Sequence, residues 1–123
     1  MVDDHQTVVD VDRLSVKRAV ADLLEWAGVA NGDRRTGVRV PFYGPVNLTV
    51  EESGLRRTYS VISRDISSNG MGLLHIMPLS LGPILLTWHR RDDESLRLRG
   101  EIVWCEPCGA GWYLSGVKFH AAE

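Results

Sequence analysis

Between Leu96 and Trp104 the sequence alternates with a period of two. Leu96, Leu98, Gly100, Ile102 and Trp104 fall on one parity, and Arg97, Arg99, Glu101 and Val103 on the other. A strand with one face in a core and one in water has this period, whereas a helix buries every third or fourth residue. The first set is therefore expected inward and the second outward. Val46, Leu48 and Val50 alternate in the same way with Asn47, Thr49 and Glu51. Arg57 to Asp65, with Tyr59, Val61 and Ile62, reads as another strand, as do Met71 to Met77, Ile84 to Trp88 and Trp112 to Phe119. About six short strands at this spacing predict a small antiparallel barrel or sandwich. The absence of a strand-helix-strand rhythm excludes a parallel nucleotide-binding sheet.

One helix precedes the strands. Val16, Ala19, Val20, Leu23, Leu24 and Ala27 recur at helical spacing, opposite Arg13, Lys17, Arg18, Asp22 and Glu25. An amphipathic helix over Arg13 to Ala27 is predicted, with Asp12 as N-cap and Gly28 as the closing residue. Met1 to Val11 is polar and acidic and reads as a loose tail. The chain divides into an acidic tail and helix over 1–30 and a β domain over 31–120.

A chain of 123 residues with 44% hydrophobic content can bury a core without disulfide staples. Its formal charge of -2, from 14 basic and 16 acidic residues, excludes a general polyanion binder. An OB-like nucleic-acid binder is disfavoured for the same reason, so any anion site must be local. Only Lys17 and Lys118 are lysines, which makes the cationic chemistry almost entirely guanidinium. Two cysteines do not make a secreted disulfide scaffold, and Asp3 and Asp4 stand where a basic leader would begin. A reducing, cytoplasmic setting is expected. The apolar stretch from Gly70 to Trp88 is interrupted by Pro78, Gly82 and Pro83 and contains His75 and Ser80, so two strands and a turn are expected rather than a membrane span.

Two polar segments break the strand pattern. Asp65-Ile66-Ser67-Ser68-Asn69-Gly70 reads by itself as an Asx-type turn, in which Asp and Ser bond nearby amides and Gly70 takes a positive φ. Arg34-Arg35-Thr36-Gly37-Val38-Arg39, behind the turn residues Asn31-Gly32-Asp33, reads by itself as a solvated linker. Together they form a candidate site. Guanidiniums match phosphate oxygens and guanine edges bidentately, and a carboxylate, a hydroxyl and a glycine on a tight turn can grip a planar base. Cys105-Glu106-Pro107-Cys108 is expected in a hairpin, without the helix N-terminus of a redox pair or the four ligands of a zinc site. His89 and His120 are read as structural or solvated. Nothing resembles a catalytic triad, a paired-carboxylate site or a phosphate-binding loop, so no enzymatic activity and no metal are expected.

The order of helix, Arg-rich linker, two strands, D-x-S-x-x-G turn, strand, and a last strand ending Gly116-Val117-Lys118-Phe119 resembles the PilZ domain, the bacterial receptor module for cyclic di-GMP. The resemblance covers Arg34 to Phe119. The family's R-x-x-x-R motif is matched by Arg35 and Arg39 with Arg34 adjacent, and its D/N-x-S-x-x-G motif by Asp65, Ser67 and Gly70. It implies a six-stranded antiparallel β-barrel preceded here by the N-terminal amphipathic helix, with the ligand between linker and barrel wall. Arg35 and Arg39 would contact phosphates and guanine edges with Arg34 in support, Asp65 would accept from a guanine edge, Ser67 would bond the nucleotide, and Gly70 would allow close approach. Family members often carry a helix after the last strand, where this sequence has His120-Ala121-Ala122-Glu123; the N-terminal helix is expected to cover that end instead. The implied partners are cyclic di-GMP, with no other cofactor, and an unidentified downstream protein. No nucleic acid and no membrane insertion are implied, and the oligomeric state is left open. Ligand is expected to fold the linker onto the barrel and drag the helix with it. The alternative is a PilZ-like adaptor that binds proteins and no nucleotide.

Overall fold

The computed structural model describes residues 9–26, 39–89 and 93–122. One helix, α1 (Val9–Trp26), precedes six strands: β1 (Val40–Glu52), β2 (Leu55–Ile66), β3 (Gly70–His75), β4 (Gly82–His89), β5 (Ser95–Gly109) and β6 (Trp112–Ala122). All strand pairs are antiparallel, and the order β1-β2-β3-β6-β5-β4 closes on itself through β1 and β4. Six antiparallel strands behind one helix is the arrangement that the periodicity predicts.

Two hairpins are made by two-residue turns with both residues left-handed, Ser53-Gly54 (φ 54 and 82) and Ala110-Gly111 (φ 53 and 82). Turns of this hand match the twist of the strands they join. Inward residues then fill the interior, with Leu48, Ile66, Met71, Leu73, Leu86, Leu98 and Ile102 wholly buried. Ser63 is also wholly buried, and its hydroxyl reaches the carbonyls of Phe42 (2.7 Å) and Gly44 (3.1 Å), where the β1–β2 register shifts. A hydroxyl at such an irregularity supplies a donor to backbone carbonyls inside the core.

The helix lies on β6 and β5. It buries Val16, Ala19, Val20 and Leu23, one stripe at i, i+3, i+4 and i+7, in the same core as the strands. Its start differs from the expectation: Val9 to Val11 are helical rather than a loose tail, and Asp12 lies inside the helix rather than at its cap. No sustained apolar period in the sequence announces these first helical residues. The expected closing residue Gly28 lies outside the described residues. Among the described residues no helix is long and apolar enough to cross a membrane, and Met71 to Trp88 forms β3, a connection and β4.

One further correction and one refinement follow from local geometry. Trp104 is 40% exposed rather than inward, because the β5–β6 register shifts between Ile102 and Trp104. One extra residue in a strand moves every later side chain to the opposite face. The Cys105-Glu106-Pro107-Cys108 segment lies in the β5–β6 hairpin as expected, but in its β5 arm, short of the turn itself; Cys105 is half-buried, Cys108 is exposed, and both are free thiols.

Candidate functional site

Asp65 is aimed by an irregularity in β2. Ser63 points into the core, and by simple alternation Asp65 would follow it, but the β2–β3 register shifts between them. The bulge at Arg64 turns Asp65 to the outer surface, where its side chain is 25% exposed. There Oδ1 accepts from Arg39 Nη1 at 2.7 Å and from the Gly72 amide at 2.9 Å. Oδ2 is less occupied, with Arg64 Nε at 4.0 Å. One residue from each motif thus meets the other. Arg34 and Arg35 lie outside the described residues.

Ser67 is buried and organises the turn. Its Oγ accepts from the amides of Asn69 (3.0 Å) and Gly70 (3.3 Å), while its own amide donates to the Gly70 carbonyl at 2.8 Å. Its hydroxyl also donates a long, weak bond to that carbonyl at 3.5 Å. Phe119 donates to the Asn69 carbonyl at 2.8 Å and ties the turn to β6. Ser68 Oγ is buried without a hydrogen-bond partner among the described residues.

Gly70 departs from the reading of a left-handed turn residue, since it is not among the glycines with positive φ. A Cβ there would meet the Val117 carbonyl oxygen at 2.0 Å. Close approach of β6 is what requires a glycine at this position.

The sequence reading missed the neighbours of Asp65. The register runs Asp65, Gly72, Gly116, Trp104 across β2, β3, β6 and β5. A Cβ on Gly72 would meet Asp65 Oδ1 at 2.9 Å, and one on Gly116 would meet Trp104 Nε1 at 2.2 Å, so the carboxylate and the indole lie over two adjacent side-chain-free positions. The row is a shallow surface with a cation, a carboxylate and an aromatic ring. A glycine inside each strand pattern was the available signal, since such residues mark close approach. An open groove elsewhere, between β1 and β4 and lined by Thr49, Glu51, Arg56, Leu81 and Leu85 among others, shares no residue with this row.

Behind the surface, at the other end of β3, His75 is buried, with Nδ1 2.6 Å from the Met77 carbonyl and Nε2 2.7 Å from Ser115 Oγ. A carbonyl only accepts, so Nδ1 carries the hydrogen and Nε2 accepts from the serine hydroxyl. Burial lowers the His75 pKa from 6.5, against the opposing pull of the Met77 carbonyl. His120 Nε2 pairs with Glu101 Oε1 at 2.7 Å on the surface. Among the described residues no three His, Cys, Asp or Glu side chains converge as a metal site would need.

The described residues form a small antiparallel β module with a polar, partly aromatic surface. The PilZ domain family matches residues 33–123, and the chain belongs to that family. Its members are in general receptors for cyclic di-GMP and adaptor modules rather than enzymes. No curated protein matches the chain.

Proposed function

We propose that this chain is a cytoplasmic receptor for cyclic di-GMP that passes its signal to a protein partner without catalysing a reaction. The observation that carries the reading is the meeting of Arg39 and Asp65, one from each motif, at 2.7 Å beside the Gly72, Gly116 and Trp104 surface. In this reading Arg35 and Arg39, with Arg34, neutralise the two phosphates. Asp65 takes the N1–H and N2–H edge of one guanine, Ser67 hydrogen-bonds the nucleotide by exchanging its long bond to the Gly70 carbonyl, and Trp104 offers a face to a base. Gly70 contributes by holding β6 close. Residues 31–120 form the ligand-binding unit, residues 1–30 carry the helix that shares its core, and the barrel wall and the arginine segment enclose the nucleotide. No cofactor, nucleic acid or membrane insertion enters the reading.

The ion pair between Arg39 and Asp65 does not prevent this. Both partners are partly exposed, 48% and 25%, and such a pair contributes only about 0–1 kcal/mol. Charge-assisted bonds to a phosphate or a guanine edge are each worth about 1.5–3 kcal/mol. Ligand therefore replaces the pair at small cost.

One observation favours the adaptor reading. Asp65 Oδ1 and Ser67 Oγ each already accept two hydrogen bonds, so the turn holds its shape without nucleotide. Calorimetry with cyclic di-GMP, cyclic di-AMP and GTP separates the two. A receptor binds the first selectively, because adenine presents a lone pair where Asp65 needs a donor; an adaptor binds none, and equal binding of both dinucleotides would remove the role given to Asp65.

A further inference from the structure

Among the described residues, four glycines lie in β strands where a neighbour crowds the missing side chain, and they divide into two kinds. Gly70 and Gly100 face backbone, the Val117 carbonyl oxygen at 2.0 Å and the Lys118 carbonyl oxygen at 2.5 Å. Those two are required by the approach of β6. Gly72 and Gly116 face side chains instead, and the side chains are Asp65 and Trp104.

The flanking strands point the same way. Register shifts precede both residues, between Ser63 and Asp65 in β2 and between Ile102 and Trp104 in β5. Each bulge turns the following side chain outward, and each side chain then folds over the glycine of the adjoining strand. Gly72 and Gly116 are themselves paired across β3 and β6. The carboxylate and the indole are thus brought from strands three positions apart to neighbouring ones, whose spacing is about 4.8 Å.

We propose that Gly72 and Gly116 are positioning residues of the ligand site, seating the Asp65 carboxylate and the Trp104 indole side by side and so fixing the distance between the acceptor that reads a guanine edge and the surface that carries its ring. The proposal rests on the cyclic di-GMP reading. A methyl group on Gly116 lifts the indole, and one on Gly72 displaces the carboxylate. Trp104 is 40% exposed and the Asp65 side chain 25% exposed, so each has solvent on one side into which it can move.

The test is a pair of double-mutant cycles read by titration calorimetry with cyclic di-GMP. Gly116→Ala is expected to weaken binding roughly five- to a hundredfold, the range of a lost base–aromatic stack. Trp104→Ala is expected to weaken it similarly, and Gly116→Ala added to Trp104→Ala to cost nothing more, because the glycine acts only through the indole. The cycle of Gly72→Ala with Asp65→Ala is independent of the first and serves if Gly116→Ala does not fold. Gly44→Ala, where a Cβ meets nothing within 4 Å, is the control expected to bind like the parent. A parent protein that does not bind overturns the receptor reading and this inference with it. A parent that binds while Gly116→Ala and Gly72→Ala bind equally well overturns this inference alone. So does a loss from either glycine that is the same in both backgrounds, since it would then act through the backbone.

Discussion

Asp65 has two oxygens in different company. Oδ1 holds Arg39 and the Gly72 amide, while Oδ2 has Arg64 only at 4.0 Å. The carboxylate is thus fixed in orientation by one oxygen and open at the other. Arg39→Ala should separate stability from binding: a melt should move little, because the exposed pair contributes about 0–1 kcal/mol, whereas calorimetry should show roughly ten- to a hundredfold weaker binding of cyclic di-GMP. Arg39→Lys should recover only part, lacking the planar fork. A variant that binds like the parent would remove Arg39 from the site.

His75 sets a second residue-scale expectation. Its folded pKa lies below 6.5, so between that value and 6.5 the unfolded chain holds more protons than the folded one. Stability therefore falls as pH drops below about 6.5 and levels off once the buried imidazole is itself protonated; above that range the contribution is constant. Urea midpoints for the parent and His75→Gln between pH 8 and 5 check this, the variant being expected to lose that part of the slope. His75 was visible in the sequence only as a polar interruption in an apolar run. Its partners, Met77 and Ser115, are brought to it by the β3–β6 register, which no local pattern encodes.

At the scale of elements, the strands were legible because half-buried strands print a period of two, and α1 because Val16, Ala19, Val20 and Leu23 print a stripe. Bulges print nothing. The shift before Trp104 inverted the expected face of that residue, and the shift before Asp65 is what turns a motif residue outward. Each depends on two strands distant in sequence. Arg39 and Asp65 were legible as motif residues, but their ion pair and the glycine row were not, because both arise from pairing across strands. The helix stripe carries its own prediction. Leu23 is 1% exposed, and Leu23→Ala should cost about 2–5 kcal/mol through lost burial and the cavity left behind. A denaturant titration that moves by less than about 1 kcal/mol would mean that the β core stands without the helix.

For the whole molecule, the anchoring of α1 bears on how a signal leaves. Releasing the helix would expose Val16, Ala19, Val20 and Leu23, and the larger of these contribute roughly 1.5–3 kcal/mol each when buried. A ligand bound at micromolar to nanomolar affinity gains about 8–12 kcal/mol in total, so displacing the helix would consume a large share of it. A local change is far cheaper: it breaks one exposed ion pair and reorders the chain around Arg39 and the Asp65 turn. We therefore expect saturating cyclic di-GMP to slow amide exchange in residues 65–72 and to slow tryptic cleavage after Arg39, while exchange along Val16 to Leu23 follows only the global stabilisation. At a hundred times the dissociation constant that stabilisation is about 2.7 kcal/mol. Faster exchange of the helix in the complex would show that α1 leaves β5 and β6 and is itself the output. Protection confined to the turn and the arginine segment would instead make the liganded surface beside Trp104 the face that a partner reads.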